Sequence, residues 1–286
     1  MSTQAVVCVG QSVGVRLFVT GLGGYLGHAI AAATPGEVAG TIRHQSAPRG
    51  TQAFRVDVRD TRAIAAALRE VGPDAVVHTA FVQQGDELTS INVEGSAVVA
   101  SAARRAGLRL VHVSSDAIFA GELGRPVCEA DPPRPTTAYG ASKAEAELAV
   151  SAAHPEAVIV RTSLIYGGER PSIHELRALH PASAFYSDAV RCPVVAPELA
   201  AALIELASLP HVHGPLHVAG PDAVSRLEFA RLIVAAYGGD PATVQGTVRP
   251  AGYPGDVELD CSRAAAILRT RFRGVREVLA PGTRTL

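Results

Sequence analysis

The run Thr20-Gly21-Leu-Gly-Gly24-Tyr-Leu-Gly27 leaves little choice about what surrounds it. Ahead of it stands Val15-Arg-Leu-Phe-Val-Thr20, a short apolar stretch rich in β-forming residues. Behind it comes His28-Ala-Ile-Ala-Ala-Ala-Thr34, a helix former closed by Pro35-Gly36. Strand, glycine turn and helix in that order are the context in which a glycine motif carries information. Gly21 permits a tight turn, Gly24 lets the backbone approach a bound group, and Gly27 lets the helix pack close to the strand. A helix that starts on such a turn offers its N-terminal amides to a pyrophosphate. The spacing differs from GxGxxG, and a purely structural glycine turn is the alternative.

The alternation continues downstream. Strands are expected over 37–42, 53–58, 74–79, 108–113 and 157–162. Helices lie between them, one capped by Asp60-Thr61, one over roughly 86–106 and one that begins near Tyr139. Short connections between alternating strands and helices mean right-handed crossovers and a parallel sheet. After Thr162 the rhythm loosens, with Gly167-Gly168, Pro171 and Pro181, a helix over 197–209, a strand over 214–219 and a helix over Arg226–Tyr237. The fold class is therefore α/β: a Rossmann-type doubly wound parallel sheet with a small C-terminal substrate-binding lobe. Residues 1–163 and 189–220 are assigned to the dinucleotide-binding domain, and 164–188 and 221–286 to the lobe. Open sheets of this kind bind ligands at their carboxyl edge.

Composition removes several classes of function. A formal net charge of −1 on 286 residues gives no reason to expect nucleic acid or an anionic membrane as partner. No apolar run approaches the ~18 residues of a membrane span. Cys8, Cys128, Cys192 and Cys261 are scattered without a CxxC pair, which fits a reducing cytoplasm and neither zinc nor a disulfide framework. His211, His213 and His217 are loosely spaced and no carboxylate or cysteine joins them, so no metal site is expected. Residues 1–14 carry no basic n-region and read as an extension or an upstream start.

The chemistry concentrates between Ser114 and Lys143. Lys143 is the sole lysine among 26 basic residues, the other 25 being arginine, and it lies four residues after Tyr139. Positions i and i+4 share a helix face, and arginine cannot replace a compact ammonium that titrates. A free phenol has a pKa near ~10, and a neighbouring ammonium is expected to pull it down towards the working range. Ser115, at the end of the fifth strand, would hydrogen-bond a carbonyl oxygen that Tyr139 protonates, while Lys143 tunes Tyr139 and holds ribose hydroxyls. Residues expected at the cofactor are Gly21, Gly24, Tyr25, Leu26, Gly27, Arg43, Asp57, Val58, Thr79, Ala80 and Phe81, with Tyr139 and Lys143. The second strand ends Thr41-Ile42-Arg43-His44 without the carboxylate usual for NAD. NADP(H) is therefore preferred, with Arg43 on its phosphate, and NAD(H) stays open. A solvated Arg43 and a turn role for Asp57 are the plainer alternatives.

With these residues in place, the chain resembles the extended short-chain dehydrogenase/reductase family from Val15 onward, and within it the dTDP-4-dehydrorhamnose reductase branch. Ser114-Ser-Asp-Ala-Ile-Phe119 is similar to that branch's Ser-Thr-Asp-Tyr-Val-Phe, and Arg161-Thr-Ser-Leu-Ile-Tyr166 to its Arg-Thr-Ser-Trp-Val-Tyr. Asp188–Pro193 with Glu198-Leu-Ala200, and Arg249-Pro250 with Leu259-Asp260, fall where its substrate-lobe signatures fall. The resemblance implies NAD(P)H-dependent reduction of a 4-keto sugar on a nucleotide, with Ser115, Tyr139 and Lys143 at the catalytic positions. The departures fall on the substrate side. Leu164 stands for an aromatic, Ala117 for a tyrosine, and Thr79-Ala-Phe-Val-Gln-Gln for an Asn-Ala-Ala run.

Asp116 and Leu164 are expected near the substrate, and Arg191 and Arg249 on its diphosphate, with surface ion pairs as the alternative for both arginines. Asn92 either arranges a water, as in related enzymes, or lies on a plain helix face. The expected partner is a small molecule, a keto sugar or similar ketone, and a homodimer is left open. A non-catalytic NADP-binding regulatory subunit and an epimerase are the alternatives, and the intact Ser-Tyr-Lys set argues for the reductase.

Overall fold

A computed structural model describes residues 14–284 apart from residue 122. The expectation for the N-terminal extension, residue 14 excepted, lies outside the described residues. Six strands, β1 (Leu17–Thr20), β2 (Val38–Ile42), β3 (Gln52–Arg55), β4 (Ala75–His78), β5 (Arg109–Ser115) and β6 (Val158–Thr162), join Gly214–His217 in one seven-stranded sheet. The spatial order is β3-β2-β1-β4-β5-β6 and then Gly214–His217, and every pairing is parallel. Order reverses at β1, which pairs with β2 on one side and β4 on the other. The crevice at that reversal is where such sheets place ligands.

Both faces are covered, which is why β1 and β4 are buried along their whole length. Alternation within β1 divides the core in two. Leu17 and Val19 face α1 (Tyr25–Ala33) and, further along the chain, the helix Ala196–Ala207, through Leu26, Ile30, Leu199 and Leu203. Phe18 faces α2 (Thr61–Val71), α3 (Gly95–Arg105) and α4 (Ala138–Ala153), through Ile64, Leu68, Val99 and Val150. The helix starts follow the chain's own signals. Asp60 accepts from the amides of Arg62 and Ala63, and Thr137 from Gly140.

Of the boundaries that differ from expectation, two have a clear local cause. The strand expected over 53–58 stops at Arg55, because Asp57 turns the chain by accepting from the amide and guanidinium of Arg59. The helix expected over 86–106 opens with a π-turn, Ser90–Glu94, before α3. The wider turn carries Asn92, whose amide group brackets residue 82 by accepting from its N–H and donating to its carbonyl, both at 2.9 Å.

The C-terminal excursions build a third core from Leu164, Tyr166, Phe185, Phe229, Ile233 and Leu279, held by α5 (Ile173–Ala178) and α7 (Arg226–Ala236), with Val195 joining it just ahead of α6 (Ala196–Ala207). The short helix Ser262–Ile267, expected within the lobe, returns to the sheet, where Ala264 and Leu268 join the β1-side core. Among the described residues no helix is long and apolar enough to cross a membrane.

Gly27 sits where α1 leaves the turn, and a Cβ there would lie 2.5 Å from the carbonyl oxygens of Gly21 and Leu22. Both obstacles are backbone, so neither can swing aside. Gly27→Ala is expected to lower stability by about 1–3 kcal/mol through overpacking, read as a lower midpoint in denaturant unfolding; an unchanged midpoint would mean that the turn yields.

Candidate active site

A cavity of ≈ 880 Å³ opens at the carboxyl edge of the sheet and runs from the glycine turn to the C-terminal lobe. At one end lies the start of α1. Gly21 has φ 72°, the left-handed region, and a Cβ there would meet the Ala80 backbone at 3.0 Å. The α1 N-cap, Gly24, provides no side-chain cap, and the first turn carries no acid. Backbone amides open to the cavity and a surface that admits no side chain suit a dinucleotide pyrophosphate. Gly21, Gly24, Tyr25 and Leu26 line the wall together with Arg43, Asp57, Val58, Thr79, Ala80 and Phe81. Gly27 does not reach the cavity and serves the packing beneath it.

Two of these residues have further duties. The Tyr25 hydroxyl accepts from the Gly168 amide at 2.7 Å, tying α1 to the lobe, and burial pushes its phenol up to about 12. Thr79 donates to the Thr20 carbonyl at 2.7 Å and stitches β4 to β1 beside the turn. At the adenine end, Arg43 is paired with Glu87 at 2.6 Å. Asp57 is paired with Arg59 at 2.6 Å, and that guanidinium holds its carboxyl down to about 2.

At the centre, β5 extends through Ser115, pairing Ser115 with Thr162 of β6, so the serine leaves the sheet at its carboxyl edge. The next residues form a 3₁₀ turn, Asp116–Ile118, capped by Ser115 Oγ accepting from the Ala117 amide at 3.2 Å. Helix α4 rests on this turn. A Cβ on Gly140 would lie 2.1 Å from the Ala117 carbonyl oxygen, so only glycine lets the helix seat and bring Tyr139 beside Ser115. Asp116 accepts from Ser163 at 2.6 Å and stands 3.7 Å from the Arg191 guanidinium, which makes it a buried anchor of the turn.

The phenol and the ammonium behave differently from the simple expectation. Burial pushes Tyr139 above its ordinary value, and the Ser115 hydroxyl opposes this only in part. Lys143 does not lower it here, because the ammonium donates to the Val113 carbonyl at 2.7 Å. Burial brings Lys143 itself down to about 8, with the Glu147 carboxylate pulling the other way. Phe81 closes this corner, its ring 6.0 Å from the Tyr139 ring and 6.0 Å from Lys143 Nζ. Asn92 also receives a definite place, donating to Ser142 at 2.9 Å while it holds the loop after β4.

Sequence reasoning missed Glu147. It stands one turn beyond Lys143, accepts from Ser114 at 2.5 Å, and pairs with Arg161 at 2.8 Å with both side chains almost wholly buried. Its signal was the continued i+4 spacing from Tyr139 through Lys143.

The lobe corrects two assignments. Arg191 and Arg249 were expected on a diphosphate, but both guanidiniums are committed to backbone carbonyls. Arg191 lines the cavity yet donates to Val190, Pro254 and Gly255, and Arg249 to Asp188 and Tyr253. Two further lobe arginines line the cavity beside His174 and Tyr253: Arg226, and Arg177, whose guanidinium lies 5.4 Å over the Phe185 ring and donates to the Ala184 carbonyl. Among the described residues no carboxylate pairs with either. Burial, with these two charges close by, drives His174 down to about 3. Leu164 lines the wall between the two ends.

Residues 15–283 match the RmlD substrate binding domain model. The dTDP-4-dehydrorhamnose reductase of Mycobacterium tuberculosis is 32% identical over 255 residues, covering 84% of this chain and 81% of that protein. The chain belongs to this family. It is an NAD(P)-dependent oxidoreductase of the extended short-chain dehydrogenase/reductase type, in the branch of the sugar-nucleotide reductases. The dTDP-4-dehydrorhamnose reductase of Sinorhizobium fredii is 28% identical over 240 residues, 78% of each chain. The crystal structure of a hypothetical dTDP-4-dehydrorhamnose reductase from Sulfolobus tokodaii superposes with a TM-score of 0.75 at 27% identity, covering 90% of this chain and 96% of that one. Family membership accords with the glycine turn and with the Ser115, Tyr139 and Lys143 positions.

With Lys143 brought down to about 8, its ammonium is lost as pH rises through that value. A phenol that gives up its proton leaves a negative charge that the ammonium would stabilise on turning from the Val113 carbonyl, so proton donation is expected to weaken on the alkaline side. Reductive turnover is expected to fall above about pH 8, and Lys143→Met to be slow throughout and free of that limb. A flat wild-type profile from pH 7 to 9.5 would remove Lys143 from the step.

Proposed function

We propose that this protein is an NADPH-preferring reductase of a keto group on a nucleotide-linked sugar. The observation that carries the reading is convergence. One cavity joins an anion-receptive glycine turn, a Ser115–Tyr139–Lys143 set and two lobe arginines, Arg177 and Arg226, that pair with no carboxylate among the described residues. The first suits a dinucleotide, the second carbonyl reduction, and the third a second anionic group at the opposite end.

The bound nicotinamide would supply a hydride to the carbonyl carbon. The chain's own residues manage the oxygen. Ser115 Oγ, which accepts from the Ala117 amide and donates to Asp116 Oδ1 at 3.3 Å, would turn its proton to that oxygen. Tyr139 is protonated at neutral pH because burial raises it, which is the state a proton donor needs before hydride arrives. Lys143 would stabilise the phenolate left behind once its ammonium turns from the Val113 carbonyl towards it, and Glu147 beneath supports that charge. Arg43 receives the 2′-phosphate, and Arg177 and Arg226 receive the substrate's diphosphate by charge-assisted hydrogen bonds. Leu164 and Ala117 leave the sugar's surroundings less aromatic than the branch pattern, which favours a keto sugar other than the rhamnose precursor.

Tyr139→Phe is expected to keep NADPH affinity and lower turnover by about 10²–10⁴-fold, the share of a general acid, in NADPH oxidation assays across nucleotide-linked 4-keto sugars. Turnover equal to wild type would exclude Tyr139 as the donor. Cofactor binding without oxidation of any sugar in the panel would instead favour a regulatory subunit. Arg226→Ala should raise KM for a diphosphate-bearing sugar about 10–100-fold, as for a lost charged hydrogen bond. Its NADPH dissociation constant should stay at the wild-type value, and a shift in the cofactor constant alone would assign the arginine to the other ligand.

A further inference from the structure

At the adenine end of the cavity, which Arg43 and Asp57 line, Arg59 and Glu87 stand behind them and complete a balanced set of four charges drawn from three separate segments. Arg43 follows β2, Asp57 and Arg59 follow β3, and Glu87 lies in the loop after β4. Glu87 is the bridge, with Oε2 accepting from Arg43 at 2.6 Å and Oε1 from Arg59 at 2.9 Å. Arg59 closes the set by donating to Asp57 at 2.6 Å. The Glu87 backbone is itself fixed, since its carbonyl accepts from the Ile91 amide at 2.9 Å and from Ser90 Oγ at 3.2 Å. The two guanidiniums hold its carboxyl below the usual range, so it stays ionised.

NAD sites of this fold usually carry an acid at the end of β2 for the ribose 2′-hydroxyl, and NADP sites an arginine for the 2′-phosphate. This chain has the arginine in that position and no acid beside it in sequence. In three dimensions an acid is nevertheless there, supplied by Glu87. We propose that Glu87 is a cofactor-discriminating residue that limits the preference for the 2′-phosphate and keeps the site open to NAD(H). The inference rests on the cofactor reading given above. A 2′-phosphate carries a charge of about −1.5 to −2, and to reach Arg43 it must displace the Glu87 carboxylate or suffer its repulsion. A neutral 2′-hydroxyl needs neither, because the Arg43–Glu87 pair can stay closed beside it. All three side chains are partly exposed, at 42% for Arg43, 46% for Glu87 and 31% for Arg59, so the exchange costs no buried charge. The displaced Glu87 would remain held by Arg59.

The test is equilibrium binding, independent of any sugar substrate. Dissociation constants of NADP⁺ and NAD⁺, and of the fragments 2′,5′-ADP and 5′-AMP, are measured by calorimetry for wild type, Glu87→Gln, Arg43→Ala and the double variant. Glu87→Gln should raise the NADP⁺ over NAD⁺ affinity ratio about three- to tenfold, the scale of an exposed ion pair. The same shift should appear in the fragments. In the Arg43→Ala background the effect of Glu87→Gln on the ratio should shrink towards none, because the carboxylate acts through that guanidinium. Binding with an unchanged or lowered ratio in Glu87→Gln overturns the proposal and leaves the cofactor reading intact. A shift that persists undiminished without Arg43 also overturns it. Failure of wild type to bind either dinucleotide overturns the cofactor reading and the proposal together.

Discussion

Helix α4 can present its chemistry only because it lies hard against the turn after β5. The Ala117 carbonyl occupies the space a side chain at position 140 would need, and from that seat Tyr139, Lys143 and Glu147 descend one face of the helix into the protein. Lys143 is 3% exposed and Glu147 4% exposed. Ions so placed are costly unless each is matched, and an unmatched buried charge costs about 3–5 kcal/mol. The match is complete for Glu147, while Lys143 donates to the Val113 carbonyl and burial lowers it. Glu147 is saturated by Ser114 and Arg161, and Arg161 further donates to the Glu129 carbonyl and lies over the Phe119 ring, its centre 5.3 Å away. The site therefore rests on a polar foundation that spans β5, β6 and α4.

The parts of this arrangement that depend on near neighbours were legible in the sequence. The glycine spacing, the Asp60 cap and the Tyr139–Lys143 interval act over a few residues, and the structure forms all three. What was not legible depends on direction across long separations. Nothing local distinguishes Arg191, turned inward onto the Gly255 carbonyl 64 positions away, from Arg226, turned towards the cavity. The spare carboxylate at Arg43 is 44 positions distant and belongs to another crossover. Sequence shows that charges exist. Only the fold shows which of them are already satisfied.

The lobe is fastened to the sheet by polar contacts as well as by its own core. Tyr25 reaches from the glycine turn to Gly168, and Ser163 reaches from the end of β6 to Asp116 below the catalytic turn. Arg191 lies between Asp116 and the carbonyls of 254 and 255. The cavity wall formed by the lobe is thus attached at both the cofactor end and the catalytic centre. A change in the glycine turn has a direct route to the lobe through one phenol hydroxyl.

The bias of 25 arginines to one lysine has a physical counterpart in this division of labour. Wherever the structure needs a permanent cation to gather carbonyls or clamp a carboxylate, it uses the planar fork of arginine, as at Arg161, Arg191 and Arg249. A guanidinium keeps its proton throughout the pH range in which an enzyme works. At the one place where a cation stands beneath the proposed proton donor, the chain uses an ammonium, and burial brings it down to about 8. An arginine there would hold its charge regardless of surroundings. The lone lysine is the cation whose charge the protein's own packing can adjust, burial lowering it and the Glu147 carboxylate opposing that fall.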